Sequence, residues 1–308
     1  MAQRCLSVRI ERWPIAGTFA ISRGGKADAT VVTVEVTDGS HRGRGEAVPY
    51  ARYGESAEAV AQAIEAKADQ PDLDLDTLQH ALPAGAARNA LDCALWDLAA
   101  KRARRPVHEL LRLPSPKPLM TAYTISLASP EQMADAAAIA AARPLLKIKL
   151  GGVGDAERIA AVRHAAPRCE LIVDANEGWK SENLAENFEA CAQAGVTLIE
   201  QPLPADDDEV LAFIPHPIAI CADESAHTRG SLPALKRKYD VVNIKLDKAG
   251  GLTEALAMAQ EAQKRFQVDR VLLKPFRVHD LLSAVNEMLA KSPRGAPPPG
   301  AGGSAGAS

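Results

Sequence analysis

Five stations along the chain carry residues able to move a proton and hold a metal: Lys147-Ile148-Lys149, Asp174, Glu200, Asp223 and Lys245. Each closes an apolar run, and they follow one another at intervals of 22 to 27 residues. Carboxylates are hard oxygen ligands suited to magnesium, which takes a few of them together with water and substrate. Lys147 and Lys149 are two residues apart, so on a strand both project from one face. Adjacent ammonium groups disfavour each other's charged form, which brings one of them toward a usable base near neutral pH. Lys245 comes three units later, across the mouth of a barrel. A carboxylate substrate held on the metal would meet one lysine on each face of its α-carbon. One lysine would remove the α-proton while the metal stabilises the enediolate. The other would return a proton to the opposite face. That is a 1,1-proton transfer, hence racemisation or epimerisation; with a β-leaving group the same intermediate eliminates. Taken singly, these residues have plainer readings, because an aspartate after a strand also caps the next helix and lysines can simply balance acids.

The elements that must position these groups fall into two rhythms. From Cys5 to Trp13 and from Val31 to Thr37 apolar and polar residues nearly alternate, as in strands buried on one face. The glycine-rich segment Ser22–Lys26 between them reads as a loop. Helical patterns follow at 56–68, 73–82 and 86–101, and three prolines at 114, 116 and 118 mark a linker. Strands first and helices after predict a small α+β domain over residues 1–115. Beyond the linker, short β-rich runs end at Thr124, Lys149, Asp174, Glu200, Asp223 and Lys245, with alanine-rich helical stretches between them. Strand–helix–strand alternation predicts parallel pairing. Chemistry-bearing residues after every strand favour a (β/α) barrel over an open sheet, whose sites gather near one switch point.

Composition narrows the function classes. The chain has 308 residues, 47% apolar, with a formal charge of −3. That balance gives nucleic acid or an anionic membrane no reason to bind. Neither a signal-peptide core nor an 18-residue apolar stretch is present. The five cysteines at 5, 93, 169, 191 and 221 are scattered and form no C-x-x-C. They read as free thiols in a reducing compartment, so a cytoplasmic location is expected. A homo-oligomer is compatible with the sequence, which is otherwise silent on assembly.

Lys147-x-Lys149, Asp174-Ala-Asn176, Ile199-Glu-Gln-Pro202, Ala222-Asp-Glu-Ser225 and Asn243-x-Lys245 together resemble the enolase superfamily, muconate-lactonizing subgroup. The resemblance covers roughly residues 1–265. It implies an N-terminal α+β capping domain, 1–115, followed by a (β/α) barrel catalytic domain, 116–266. It implies one Mg²⁺ per site held by Asp174, Glu200 and Asp223, with Lys149 and Lys245 as acid and base. Lys147 would assist at the substrate carboxylate and Asn176 would support the ligands from behind. Ile21–Lys26, Pro49–Ser56 and Thr121–Thr124 are most similar to segments of L-Ala-D/L-Glu dipeptide epimerases. A small dipeptide substrate read by Arg23, Lys26 and Thr124 is the expectation. Cycloisomerisation, o-succinylbenzoate synthesis and a non-catalytic remnant are the alternatives.

The C-terminal part departs from that pattern. A (β/α)₈ barrel takes about 250 residues, and here six convincing strands and a seventh candidate, Val271–Pro275, are readable. The barrel is therefore expected to be incomplete, with open sheet edges. The Asp-x-Asp pair that dipeptide epimerases carry at the eighth strand, for the substrate ammonium, is missing from this sequence. Residues 267–290 read as a strand and helix foreign to the family. Leu272–Phe276 and Asp280–Leu289 resemble the end of a response-regulator receiver domain, without a phospho-acceptor architecture before them. Residues 291–308 contain no large apolar side chain and are expected to be disordered.

Overall fold

A computed structural model describes residues 4–21, 24–68, 70 and 73–266. The N-terminal unit begins with a three-stranded antiparallel sheet, β1 (Cys5–Ile21), β2 (Gly24–Thr37) and β3 (Arg42–Ala47), in that spatial order. Helices α1 (Ala57–Glu65), α2 (Leu75–Ala81), α3 (Ala86–Ala103) and α4 (Val107–Leu110) follow. Alternate residues Val32, Val34 and Val36 of β2 are buried together with Ala90, Leu91, Ala94 and Leu98 of α3. Each buried valine or leucine contributes about 1.5–3 kcal/mol. Two features here were not legible in the sequence. The first hairpin runs on to Ile21 and resumes at Gly24, so most of the expected glycine-rich loop is strand; antiparallel pairing of Phe19 with Lys26 and Ile21 with Gly24 extends it. The other is β3, whose Gly43 and Gly45 break the usual strand pattern. A Cβ at either position would collide with the α3 backbone at Ala94 or Ala90, so helix and strand approach only because both are glycine.

The second unit is a parallel sheet of β4 (Tyr123–Ile125), β5 (Leu145–Lys149), β6 (Glu170–Asp174), β7 (Val196–Glu200), β8 (Ile220–Ala222) and β9 (Val241–Val242). Spatial order equals chain order, with every neighbouring pair parallel. A doubly wound sheet would reverse direction at a switch point, so this is the wall of a barrel. Helices α5 (Pro130–Ile139), α6 (Asp155–Ala165) and α7 (Leu184–Gln193) make the first three crossovers. Between β7 and β8 the expected amphipathic helix is replaced by a 3₁₀ turn, Glu209–Phe213. Pro202 and Pro204 before it and Pro215 and Pro217 after it bound the segment in which a helix could form. The short α8 (Leu232–Leu235) precedes β9, and α9 (Leu246–Ala249) and α10 (Leu252–Phe266) follow it.

Strand alternation divides the barrel wall cleanly. Leu146, Ile148, Leu171, Val173, Ile199 and Ala222 face outward into the main core beneath the helices. Leu145, Ile172, Leu198 and Cys221 meet inside as a separate apolar layer. The next inward residues along the same strands are charged, so this layer forms the floor beneath them. Among the described residues no helix is long and apolar enough to cross a membrane. The seventh strand candidate, the receiver-like segment and the tail lie outside the described residues, as does the expected incompleteness of the barrel.

One ion pair ties the 3₁₀ crossover to the end of the sheet. Asp240 Oδ2 accepts from His216 Nδ1 at 2.8 Å and from the Ile220 backbone N–H at 2.9 Å, while His216 Nε2 lies 2.9 Å from the Leu211 carbonyl. Both ring nitrogens face acceptors, an arrangement that only the imidazolium satisfies fully. The Asp240 hydrogen bond raises the His216 pKa above its ordinary 6.5 despite partial burial. The stabilisation is therefore fully present below about pH 6.5 and is lost as pH rises through the raised folded value. Urea melts of wild type and His216→Gln should differ more at pH 6 than at pH 8.5; an equal difference at both would refute the linkage.

Candidate active site

Register brings the stations together. Lys149 pairs with Asp174 and Asp174 with Glu200 across β5, β6 and β7, and Thr124 of β4 pairs with Lys147. Asp223 follows β8 by one residue. Lys245 follows β9 and occupies the position before α9. Asp174, Glu200 and Asp223 are buried at 0%, 2% and 1% exposure, and one oxygen of each lies within 4.8 Å of the others. Like charges so close and so dry must be compensated. Three buried carboxylates offering only oxygen are a donor set that fits a hard divalent cation.

The lysines close around this cluster. Lys147 Nζ lies 2.6 Å from Glu200 Oε2 and 2.7 Å from Asp174 Oδ2. Lys149 Nζ donates to Asp174 Oδ2 at 2.8 Å and to Asn176 Oδ1 at 2.9 Å. Lys245 Nζ donates to Asp223 Oδ2 at 2.5 Å. The Lys245 side chain keeps 37% of its surface exposed, against 12% for Lys147 and 10% for Lys149. It is thus the member of the set open to the barrel mouth.

Environment sets the three lysines apart. Burial alone would lower Lys147, but Glu200 and Asp174 on either side hold it well above the ordinary range. Burial also dominates at Lys149, where Asp174 and Glu200 do not offset it and the Lys147 charge adds to it; its pKa is lowered. Lys245 is raised, because Asp223 and Glu200 outweigh its desolvation. Asp223 is lowered: the nearby Lys248 and Lys245 charges overcome its burial and the repulsion of Glu200. Of the pair, Lys147 thereby holds its proton more tightly than Lys149.

Several residues that shape the site had no role in the sequence reading. Lys248, on α9, is 5% exposed and donates to Asp223 Oδ1 at 2.5 Å and to the Asp223 carbonyl. Its position three residues after Lys245 was the available signal. Gln201 is fully buried; its Oε1 accepts from the backbone N–H of Asp223 and Ser225, and its Nε2 donates to Ser225 Oγ and Tyr239 OH. It therefore fixes the third carboxylate relative to the second. Asn243 Nδ2 donates to Glu200 Oε1 at 2.9 Å. Asn176, Glu177 and Gln201 adopt left-handed backbone with φ of 45°, 65° and 37°, directly after β6 and β7. Such conformations are costly for non-glycine residues and cluster at sites. Here the turn folds the Asn176 side chain back onto Lys149.

The N-terminal unit reaches the same face. Arg52 grips Glu177 with two hydrogen bonds of 3.1 and 2.8 Å, and the Tyr53 ring packs edge-on against His227 at 5.0 Å between centroids. Tyr53 is raised by burial and by the charges of Asp223 and Glu224. The segment 49–56 therefore packs at the barrel rim against Glu177 and His227. Thr124 is half-buried on the strand beside Lys147. Arg23 and the side chain of Lys26 lie outside the described residues.

Comparison with known proteins agrees with this geometry. Residues 4–112 match the N-terminal domain of the mandelate racemase / muconate lactonizing enzyme family, and residues 132–269 match its enolase C-terminal domain-like partner. The chain is 49% identical over 264 residues to an L-Ala-D/L-Glu epimerase of Escherichia coli, covering 84% of this chain and 82% of that protein. A crystal structure of an enolase family member from Agrobacterium tumefaciens with homology to dipeptide epimerases, holding sodium and L-Ala-L-Glu, is 52% identical. It superposes with a TM-score of 0.82 over 85% of this chain and 81% of that one. A dipeptide epimerase from Cytophaga hutchinsonii, complexed with Mg and D-Ala-L-Val, is 28% identical with a TM-score of 0.80, over 85% and 76% of the two chains. None of these matches supports the receiver-like reading of the segment beyond 271.

The acidic cluster makes a direct prediction. A cation that binds only the folded chain stabilises it by about 2.7 kcal/mol at 100 times its dissociation constant. Magnesium should raise the wild-type melting temperature. In Glu200→Gln, which removes one of the three charges, that increment should shrink to near zero. An unchanged increment in the variant would place the cation elsewhere.

Proposed function

The chain belongs to the mandelate racemase / muconate lactonizing enzyme family of enolase-like proteins, and on that premise we propose that it is a magnesium-dependent dipeptide epimerase of the L-Ala-D/L-Glu type. The observation that carries the reading is the convergence of three buried carboxylates with lysines arriving from opposite strands of the sheet, Lys149 from β5 and Lys245 beyond β9. We keep the division into a capping domain at 1–115 and a catalytic barrel at 116–266 with it.

Asp174, Glu200 and Asp223 would hold one Mg²⁺, which when bound supplies a Lewis acid for the negative charge developing on the substrate carboxylate. Lys149, with its lowered pKa, takes the α-proton in one direction of reaction. Lys245, charged beside Asp223, gives a proton to the opposite face of the same carbon. After one turnover Lys149 carries the proton taken from the substrate and Lys245 has given its own to the product, and exchange with water resets both. For the other epimer the two lysines trade roles. Lys147, locked between Glu200 and Asp174, stays protonated and lends a fixed positive charge to the carboxylate end of the substrate. Asn176 holds Lys149 in place through its carbonyl oxygen. Thr124 beside Lys147, together with Arg23 and Lys26, would read the dipeptide itself; the two cations suit an acidic side chain.

The test is a proton NMR time course in D₂O with Mg²⁺ and L-Ala-L-Glu. Loss of the glutamyl α-proton signal and appearance of the L-Ala-D-Glu epimer are expected, both abolished by chelator. Lys149→Ala and Lys245→Ala should each lower epimerisation by roughly 10²–10⁴-fold, the range of a lost general acid or base. Exchange that survives in both variants would refute the two-lysine assignment.

A further inference from the structure

The turn that carries Lys245 and Lys248 is built into a surface of α3. Arg88, Asp92 and Trp96 lie at four-residue spacing and so share one face of that helix. Arg88 donates its Nε to the Gly250 carbonyl at 3.1 Å and its Nη2 to the Ala249 carbonyl at 2.8 Å. Its remaining nitrogen, Nη1, reaches the Gln79 and Leu82 carbonyls at 3.2 and 3.4 Å. Asp92 Oδ2 accepts from the Thr253 backbone N–H at 3.1 Å, and its Oδ1 from Gln79 Nε2 at 3.1 Å. Trp96 Nε1 donates to Thr253 Oγ1 at 3.0 Å.

The placement follows helix electrostatics. The guanidinium meets the last carbonyls of α9 and the carboxylate meets the first amides of α10, each charge matching the partial charge it faces. Arg88 is 7% exposed and Asp92 fully buried. Burying two such groups in an interface that apolar side chains could fill is costly, and what it provides is a defined position. Gly250 and Gly251 have φ of 80° and 116°, and a Cβ on either would run into Ala84, Arg88 or Asp92. The turn is therefore pressed onto α3 with no space between them.

The connection from this face to the site is short. Within α9 the Ala249 N–H donates to the Lys245 carbonyl at 2.9 Å and the Gly250 N–H to that of Leu246 at 2.8 Å. The two carbonyls that Arg88 grips thus belong to the turn whose first residue is Lys245. By contrast, Lys149 stands on β5, whose strand is paired to β6, and donates to Asp174 and Asn176 at the end of that neighbouring strand. We propose that Arg88, Asp92 and Trp96 of α3 are positioning residues for Lys245, so that the N-terminal unit sets the placement of one of the two proton-transfer lysines and leaves the other to the barrel. The inference rests on the epimerase reading for what Lys245 does, and on the hydrogen bonds alone for where it sits.

The reaction distinguishes the two lysines. Deprotonation of one glutamyl epimer runs through Lys149 and that of the other through Lys245. A misplacement near 1 Å can cost about 10²-fold in rate. In D₂O with Mg²⁺, Arg88→Lys, which keeps the charge but not the fork of donors, should slow α-proton exchange from one of L-Ala-L-Glu and L-Ala-D-Glu by about 10- to 100-fold. Exchange from the other epimer should stay within about threefold of wild type. Asp92→Asn should show the same asymmetry. Backbone amide exchange read by mass spectrometry on the same proteins needs no turnover: protection should fall in 245–251 and hold in 145–149. Trp96→Phe, which removes a single hydrogen bond, should show the loss in 245–251 even where the other variants misfold. Parallel loss for both epimers, or equal loss of protection in both segments, overturns the inference. Wild-type protein inert to both epimers overturns the epimerase reading, while the amide-exchange contrast still decides the positioning.

Discussion

Three carboxylates held out of water within a few ångströms of one another are the condition around which this molecule is arranged. Asp174, Glu200 and Asp223 repel each other in a medium that screens poorly. Nothing apolar could neutralise them, so cationic side chains must be delivered to the same layer. Lys147, Lys149, Lys245 and Lys248 answer that demand from β5 and from the end of β9. Their unequal sharing of the acids separates their proton affinities. Lys147 lies between two carboxylates and Lys149 against one. A single requirement for charge balance thereby leaves two neighbouring lysines holding their protons unequally.

Holding the cluster needs more than its own ion pairs. The apolar floor of Leu145, Ile172, Leu198 and Cys221 closes the barrel interior directly below it. Beside it, Gln201 ties the end of β7 to the start of the segment after β8, through the Asp223 amide. Asp155 does similar work behind β5, accepting from the Gly151 and Gly152 amides and from Trp179 Nε1. These hydrogen bonds lie where strands end and the regular ladder stops, so they replace the sheet as the source of order. The left-handed residues at 176, 177 and 201 sit at the same places.

The N-terminal unit acts on the barrel at two separate places. Arg52 and Tyr53 lie over the mouth through Glu177 and His227, and α3 clasps the turn between α9 and α10. A substrate entering this mouth would be enclosed by one contact and met by a lysine held in place by the other. Two units with separate apolar cores are thus joined through polar and charged groups. Such joints fix orientation more sharply than apolar packing, because donors and acceptors tolerate little displacement.

Residue type, parity and interval were enough to foresee the acidic triad, the paired lysines, the parallel strands and the helices of the N-terminal unit. Those properties are local: alternation says which side chains share a face, and a repeated strand–helix period returns successive strand ends to one rim. What the chain alone left hidden was non-local. Gly43 and Gly45 serve as strand residues because the backbone of α3 lies directly on them, a contact no local pattern announces. The prolines between β7 and β8 gave no hint of how short a turn would serve there. Gln201 and the stripe of Arg88, Asp92 and Trp96 carry no spacing that marks their distant partners, Asp223 at 22 residues, Gly250 at 162 and Thr253 at 161 and 157. A hydrogen bond acts over about 3 Å of space, so only the tertiary structure, which decides what lies within that distance, could assign these residues their work.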